Sequence, residues 1–399
     1  MMTGPERFTG AEFITLIVHI NMALYSTCFW IQNGVMPYLS KRLGMDTVMY
    51  GYLQTTFALI QLLGGPLFGR FGDLFGGRAA LSLAYLSSSL TSLLMGLSTN
   101  VSLLFLSRVP SVFMHGMQAA QMVVTDLSSE SGRAGALGKL GISYGVGMII
   151  GSSAGGFLTS KFGDPVAAYV AAAGSVLNAI VVMKYIPEHT KSLTQEKKPE
   201  KTSSKSIFSL KKIFTLLSIP GAAEILAIKT IIGLPMGVFQ SMFSVVAMDY
   251  FNLEAEYNGF LMAYIGVLQM IMQGLVVGWL TERLNEKTLL AWFILVISLV
   301  GLATALMNNV LQFCLTCIPM SLGISGFYLT TNSILTKIVS PADTGAMLGL
   351  NMAVHSLIRS LAPTIGGFLY QLYGYPSFGY LQFAVSLLVF FYVFKKISI

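Results

Sequence analysis

Residues 147–165 read GMIIGSSAGGFLTSKFGDP, and residues 358–376 read IRSLAPTIGGFLYQLYGYP. A shift of 211 residues lays Gly155-Gly156-Phe157-Leu158 on Gly366-Gly367-Phe368-Leu369, Gly163 on Gly374 and Pro165 on Pro376. The register continues upstream, where Gly138 falls on Gly349, Thr125 on Thr336 and Ser129 on Ser340. Chance does not place a tetrapeptide and several further Gly and Pro positions in one register. The chain therefore reads as a duplication, and a repeat of this size sets the architecture to be sought in the rest of it.

The composition says where such a chain lives. Of its 399 residues 54% are hydrophobic and 10% charged, and the mean hydropathy is +0.71. A soluble domain carries about 25% charged residues, so this surface is expected to face lipid. Crossing the hydrocarbon takes roughly 20 apolar residues, and such stretches occur near 11–38, 47–68, 79–98, 101–125, 140–158, 166–186, 223–249, 256–280, 288–307, 310–336, 344–369 and 376–394. The first is too long for a signal-peptide core and lacks a small-residue cleavage site, so it reads as a spanning helix. The expected fold is an all-α membrane protein of twelve transmembrane helices in two duplicated six-helix halves.

Placing both termini in the cytoplasm puts 18 of the 24 basic residues on that side, among them Arg70, Arg78, Arg133, Lys139, Arg283, Lys287, Lys395 and Lys396. Only Lys41, Arg42 and Lys161 fall opposite, and Arg108, Lys229 and Arg359 fall within spans. This asymmetry orients the chain and accounts for its net charge of +7 without a nucleic-acid partner. The polar, Lys-rich stretch 187–220 is expected to be a cytoplasmic linker between an N-terminal half, 1–186, and a C-terminal half, 221–399. Its basic residues suit an anionic lipid surface or a cytoplasmic protein partner. Asn100-Val-Ser102 is a glycosylation sequon close to the opposite membrane face.

After the second span the chain reads Gly69-Arg-Phe-Gly-Asp73-Leu-Phe-Gly76-Gly77-Arg78. Glycines there permit close helix approach, and the carboxylate can pair with a helix end. This loop resembles the signature loop of the major facilitator superfamily, with Gly69, Asp73, Gly76 and Arg78 as its conformational elements and Leu74 where a basic residue is usual. The second-half counterpart around Glu282-Arg283 is degenerate. In the fifth span Gly147, Gly151, Ser152, Gly155 and Gly156 resemble the motif of facilitator antiporters, with Ser152 in place of proline; the same spacing is that of a small-residue packing face. Arg108 with Pro110 and Gly116 resembles the intramembrane arginine motif of drug/proton antiporters. Pro37-Tyr-Leu-Ser, Gly51-Tyr-Leu-Gln-Thr-Thr-Phe, Gln61-Leu-Leu-Gly-Gly-Pro and Asp343-Thr-Gly-Ala-Met-Leu-Gly are similar to stretches of the organic cation transporter-like proteins of solute carrier family 22. The resemblance covers nearly the whole chain. It implies a facilitator fold with helices one, four, seven and ten lining a cavity, and proton-linked antiport of an organic cation in the plasma membrane or the endoplasmic reticulum.

Ionisable groups inside spans mark function by default. Arg108 and Arg359 are expected to bind substrate, as are Gln32, Asn33, Gln240 and Asn332 in the cavity-lining spans. His115, seven residues beyond Arg108 and so on the same face of a continuous helix, is expected with Arg108 to couple protons, because imidazole titrates near neutrality. Lys229, His19 and His355 are further charged or titratable groups in spans. Pro37, Pro110, Pro235 and Pro319 bend the four cavity-lining spans.

None of the 17 acidic residues lies deep in a span. Trp30, Tyr264 and Tyr328 are the aromatic faces available to a cation, while Arg108 and Arg359 favour an anion or a polarised neutral solute. The leading expectation is a secondary active transporter of a small organic solute, an organic cation by proton antiport. The alternatives are an organic anion or neutral solute, and a non-transporting membrane scaffold or regulator of lipid metabolism acting through the central loop. No nucleophile–base set, phosphate loop or metal cluster is visible, so neither an enzyme nor a cofactor is expected. Cys314-Leu-Thr-Cys317 has the CxxC spacing but lies in an apolar span without further ligands, and reads as structural.

Overall fold

The computed structural model describes residues 10–128, 133–188, 190, 210–340 and 343–397, and these form helices joined by short turns. In chain order the helices are α1 (Gly10–Arg42), α2 (Thr47–Gly96), α3 (Val101–Leu106), α4 (Gly116–Leu127), α5 (Arg133–Phe162), α6 (Asp164–Tyr185), α7 (Leu210–Leu217), α8 (Ala222–Asp249), α9 (Ala255–Ile271), α10 (Val277–Arg283), α11 (Glu286–Leu306), α12 (Val310–Lys337), α13 (Thr344–Tyr373) and α14 (Pro376–Ile397). They make twelve passes. Nine helices among the described residues are long and apolar enough to cross a membrane. Large side chains point outward, as in Leu63, Leu311 and Leu388, because lipid is as apolar as a protein core. Within lipid every backbone group must be satisfied internally, which selects helices.

Four of the passes are not single, separate helices. The second and third are the two limbs of α2, residues 47–75 and 77–96, meeting at Gly76 with φ 84° and ψ 172°. That backbone region is open essentially only to glycine. The fourth pass is broken: α3 is followed by a 3-10 turn over Val109–Phe113 and then by α4. The eighth is α9 and α10 joined by a π turn at Met272–Val276.

The duplication is visible in matched local features. Asn100 and Asn309 cap α3 and α12, each Oδ1 accepting a backbone N–H (Leu103 and Gln312) at 2.9 Å. Gly163 and Gly374 turn the chain into α6 and α14 with φ of 90° and 73°. Ser89 Oγ donates to Ala172 O, and Ser298 Oγ to Phe383 O, each at 3.0 Å.

The chain divides into two compact units, and each takes in a segment from beyond the central linker. Unit 1 lies within Met1–Met45, Leu59–Lys198 and Leu253–Gly266; unit 2 lies within Asp46–Ala58, Pro199–Asn252 and Val267–Ile399. In unit 1, α5 packs on α1 through Gly151, where a Cβ would meet Thr27 O at 2.3 Å, and on the start of α9 through Gly156, where a Cβ would meet Ala255 O at 2.3 Å. Tyr38 Oη also donates to Leu253 O at 2.9 Å. In unit 2, a Cβ on Gly367 of α13 would meet Thr47 O at 2.5 Å, and Thr55 Oγ1 donates to Ser360 O at 2.7 Å. Small residues allow such backbone contact, which in lipid supplies the packing that hydrophobicity cannot.

Candidate functional site

In unit 1 the polar centre is the break in the fourth pass. Pro110 has no N–H to donate to the preceding turn and its ring crowds it. The backbone leaves the helix at Met114 (φ −80°, ψ 62°) and His115 (φ −113°, ψ 50°). The carbonyl of Met114, released from the helix, is satisfied from neighbouring helices: Tyr25 Oη of α1 donates to it at 3.2 Å and Gln61 Nε2 of α2 at 3.3 Å. Arg108, 5% exposed, has its Nε 3.3 Å from Ser107 Oγ. His115 Nε2 lies 3.1 Å from Val112 O, with its ring 5.3 Å from that of Phe68. Because the segment between them is not α-helical, the seven-residue spacing does not put Arg108 and His115 on one helix face, which corrects the expectation from sequence. Pro37, Pro235 and Pro319 lie inside continuous helices.

In unit 2 the polar centre joins three helices. Lys229 of α8, 3% exposed, donates from Nζ to Asn332 Oδ1 of α12 at 2.5 Å. The same oxygen accepts from Asn351 Nδ2 of α13 at 3.1 Å. Lys229 Nζ also lies 5.2 Å from the ring centroid of Tyr328, one turn before Asn332 on α12. The Tyr328 ring meets His355 edge-on at 5.7 Å. His355 and Arg359 lie one turn apart on α13, and both are exposed.

The other expected site residues are dispersed. Gln32, 2% exposed, turns into the helix interface, where its Nε2 lies 3.3 Å from Ser88 Oγ. Asn33 is half-buried, and Gln240 is exposed about three turns beyond Lys229 on α8. Neither joins a polar centre. The signature loop packs on the fourth pass: Gly69 lies against Gln118 and Gly77 against Val123. Arg78 ties the loop to the end of α6, donating from Nη2 to Met183 O at 2.7 Å and from Nη1 to Glu188 Oε1 at 3.3 Å, while Asp73 is exposed. In α5, Gly147, Gly151 and Gly155 all face α1. His19 Nδ1 meets Ser143 Oγ at 2.9 Å. Asn100 spends its side-chain oxygen on a helix cap. An apolar groove of about 680 Å³ is lined by Ile228, Ile231, Leu388 and Val389. Glu224, at its edge, is engaged by Lys396 Nζ and Tyr392 Oη.

Sequence reasoning passes over Asn351 and leaves Lys229 outside the site. The signal is present: Asn351, His355 and Arg359 recur at i, i+4 and i+8, which stacks them on one helix face. No spacing rule, however, connects that face to Lys229 on another helix. Among the described residues no group of His, Cys, Asp and Glu is arranged to hold a metal.

Residues 18–316 and 225–398 match the model of the Major Facilitator Superfamily. Solute carrier family 22 member 18 of Mus musculus is 45% identical over 388 residues, covering 96% of each chain. Solute carrier family 67 member A1 of Homo sapiens is 43% identical over 402 residues, covering 98% of this chain and 95% of that one. Among solved structures, a bacterial homolog to the human lysosomal transporter Spinster, inward-facing and unoccupied, matches with a TM-score of 0.77 at 16% identity, over 98% of this chain and 96% of that one.

Proposed function

The chain belongs to the Major Facilitator Superfamily, a multi-pass membrane transporter rather than an enzyme, and from that premise we propose that it is a secondary active transporter exchanging a small organic solute for protons. The observation that carries the reading is the Lys229–Asn332–Asn351 triad, a buried charge held between three apolar helices. Such groups are costly in lipid and persist where they meet a solute or an ion. The broken fourth pass, with Arg108 and His115, is the candidate for proton coupling, since discontinuous helices in transporters place backbone carbonyls and polar groups at the transport site. Two six-helix halves, 1–186 and 221–399, joined by a cytoplasmic linker at 187–220, and cytoplasmic termini complete the proposal. Both rest on the sequence repeat and on the Lys/Arg asymmetry.

The resemblance implies an organic cation, held by aromatic faces. Tyr328 is the aromatic residue of that group found at the unit 2 centre, and an ammonium already sits over its ring, which disfavours a second cation there. The scaffold reading depends on the central loop, most of which lies outside the described residues.

The test is flux in proteoliposomes. Full-length protein should take up a solute against its gradient when a pH gradient is imposed, and deletion of residues 191–209 should leave that flux intact. No pH-driven movement of any solute across a panel of organic cations, anions and neutral compounds would count against transport. Intact flux with a loss of cellular effect on deletion would support a scaffold role in addition.

A further inference from the structure

Lys229 is buried, yet among the described residues its ammonium meets no carboxylate. It has three N–H donors and gives one to Asn332 Oδ1, an oxygen already shared with Asn351. A buried charge needs a counter-charge or a full set of hydrogen bonds, and an amide oxygen and a ring face fall short of either. The three helices that form the cluster supply no anion beside it: residues 225–248 of α8 and the whole of α12 and α13 contain no Asp or Glu. Glu224 is engaged by Lys396, and Glu286 of α11 by Ser333 and Lys337. Toward the exposed rim stand two more groups of the same sign or able to take it, His355 and Arg359, one turn apart on α13.

We propose that this cluster is an anion subsite, and that the solute it takes is a small amphipathic monocarboxylate. The carboxylate docks on the remaining donors of Lys229, with the amides of Asn332 and Asn351 beside it. The apolar body lies along the Tyr328 ring, and Arg359 raises the local concentration of anions at the rim. A carboxylate suits the arrangement better than a more highly charged anion, because one buried ammonium neutralises one charge. The inference deepens the transporter reading by naming the substrate class and rests on it for the solute's passage, though not for its binding.

The experiment compares three probes with the same ring and different charge, benzoate, benzylammonium and benzyl alcohol, at equal ionic strength on the purified full-length chain. Benzoate should raise the melting temperature by roughly 2 °C or more at saturation, and the other two should not. Lys229→Gln should weaken the benzoate response at least roughly tenfold, while Lys229→Arg, which keeps the charge, should retain it. Should Lys229→Gln not fold, Asn351→Leu and the wild-type contrast among probes still decide. Stabilisation by benzylammonium but not by benzoate, no shift with any probe, or a benzoate shift undiminished in Lys229→Gln each overturns the subsite. Flux across the solute panel in proteoliposomes is read separately: benzoate binding with no pH-driven flux of any solute leaves the subsite standing and counts against the transporter reading.

Discussion

Lys229 Nζ and Asn332 Oδ1 lie 2.5 Å apart and tie α8 to α12, while the same oxygen accepts from Asn351 and so draws in α13. Replacing Asn332 by Leu leaves the buried ammonium without its acceptor and should cost about 1.5–3 kcal/mol, seen as a lower melting temperature in detergent. Lys229→Met in the same background removes both partners and should restore much of the loss. Strictly additive effects in that cycle would show the two residues uncoupled.

The contacts at Gly156 and Gly367 are predicted to be intolerant of bulk. Ala at Gly367 drives a Cβ toward Thr47 O, and overpacking of this kind costs about 1–3 kcal/mol. A Cβ on Gly349 would meet nothing within 4 Å, so Gly349→Ala should be neutral or stabilising by roughly 0.5–1 kcal/mol from backbone entropy alone. Equal melting temperatures for the two variants would contradict the close-contact account.

Gly76 turns α2 at a positive φ reserved for glycine. Gly76→Ala should cost about 1–3 kcal/mol, whereas Arg78→Ala, which loses a partly exposed ion pair and one carbonyl contact, should cost less than about 1.5 kcal/mol. Chemical or thermal denaturation of both variants, with reciprocal ranking as the adverse result, decides the point.

At the fourth pass, Tyr25→Phe deletes one donor to the Met114 carbonyl and leaves Gln61 as the other. The expected loss is about 1 kcal/mol of stability with flux reduced but present. Pro110→Ala should let the helix re-form through 109–113 and withdraw that carbonyl, abolishing flux while the protein remains folded by size-exclusion chromatography. Wild-type flux in Pro110→Ala would show that the break is incidental.

If His115 carries the coupled proton, His115→Gln should retain solute exchange at equal pH on both sides and lose the acceleration that a pH gradient gives, because Gln does not titrate near neutrality. An unchanged response to the gradient assigns coupling elsewhere.

Much of the fold was legible in the chain because its determinants are local. The length of each apolar stretch predicts a membrane pass, and the repeat at Gly155-Gly156 and Gly366-Gly367 predicts matched halves. The glycines of the signature loop point to close helix approach, and Gly69 and Gly77 lie against side chains of the fourth pass. The break in the fourth pass was less legible: Pro110 is visible, but five other helical prolines, among them Pro66 and Pro363, leave their helices continuous. What distinguishes this segment is that Tyr25 and Gln61, from two other helices, satisfy the Met114 carbonyl at the point where the backbone leaves the helix.

That the chain is a duplicated helical membrane protein follows from its residues alone, because burial in lipid and internal hydrogen bonding act on each segment separately. Which polar side chains meet depends on how the helices pack. Gln32 and Asn332 look alike as amides in apolar helices, yet one is absorbed against Ser88 and the other gathers Lys229 and Asn351. The difference lies in which neighbour each helix face packs against, and with residues 103 positions apart no local rule carries that information.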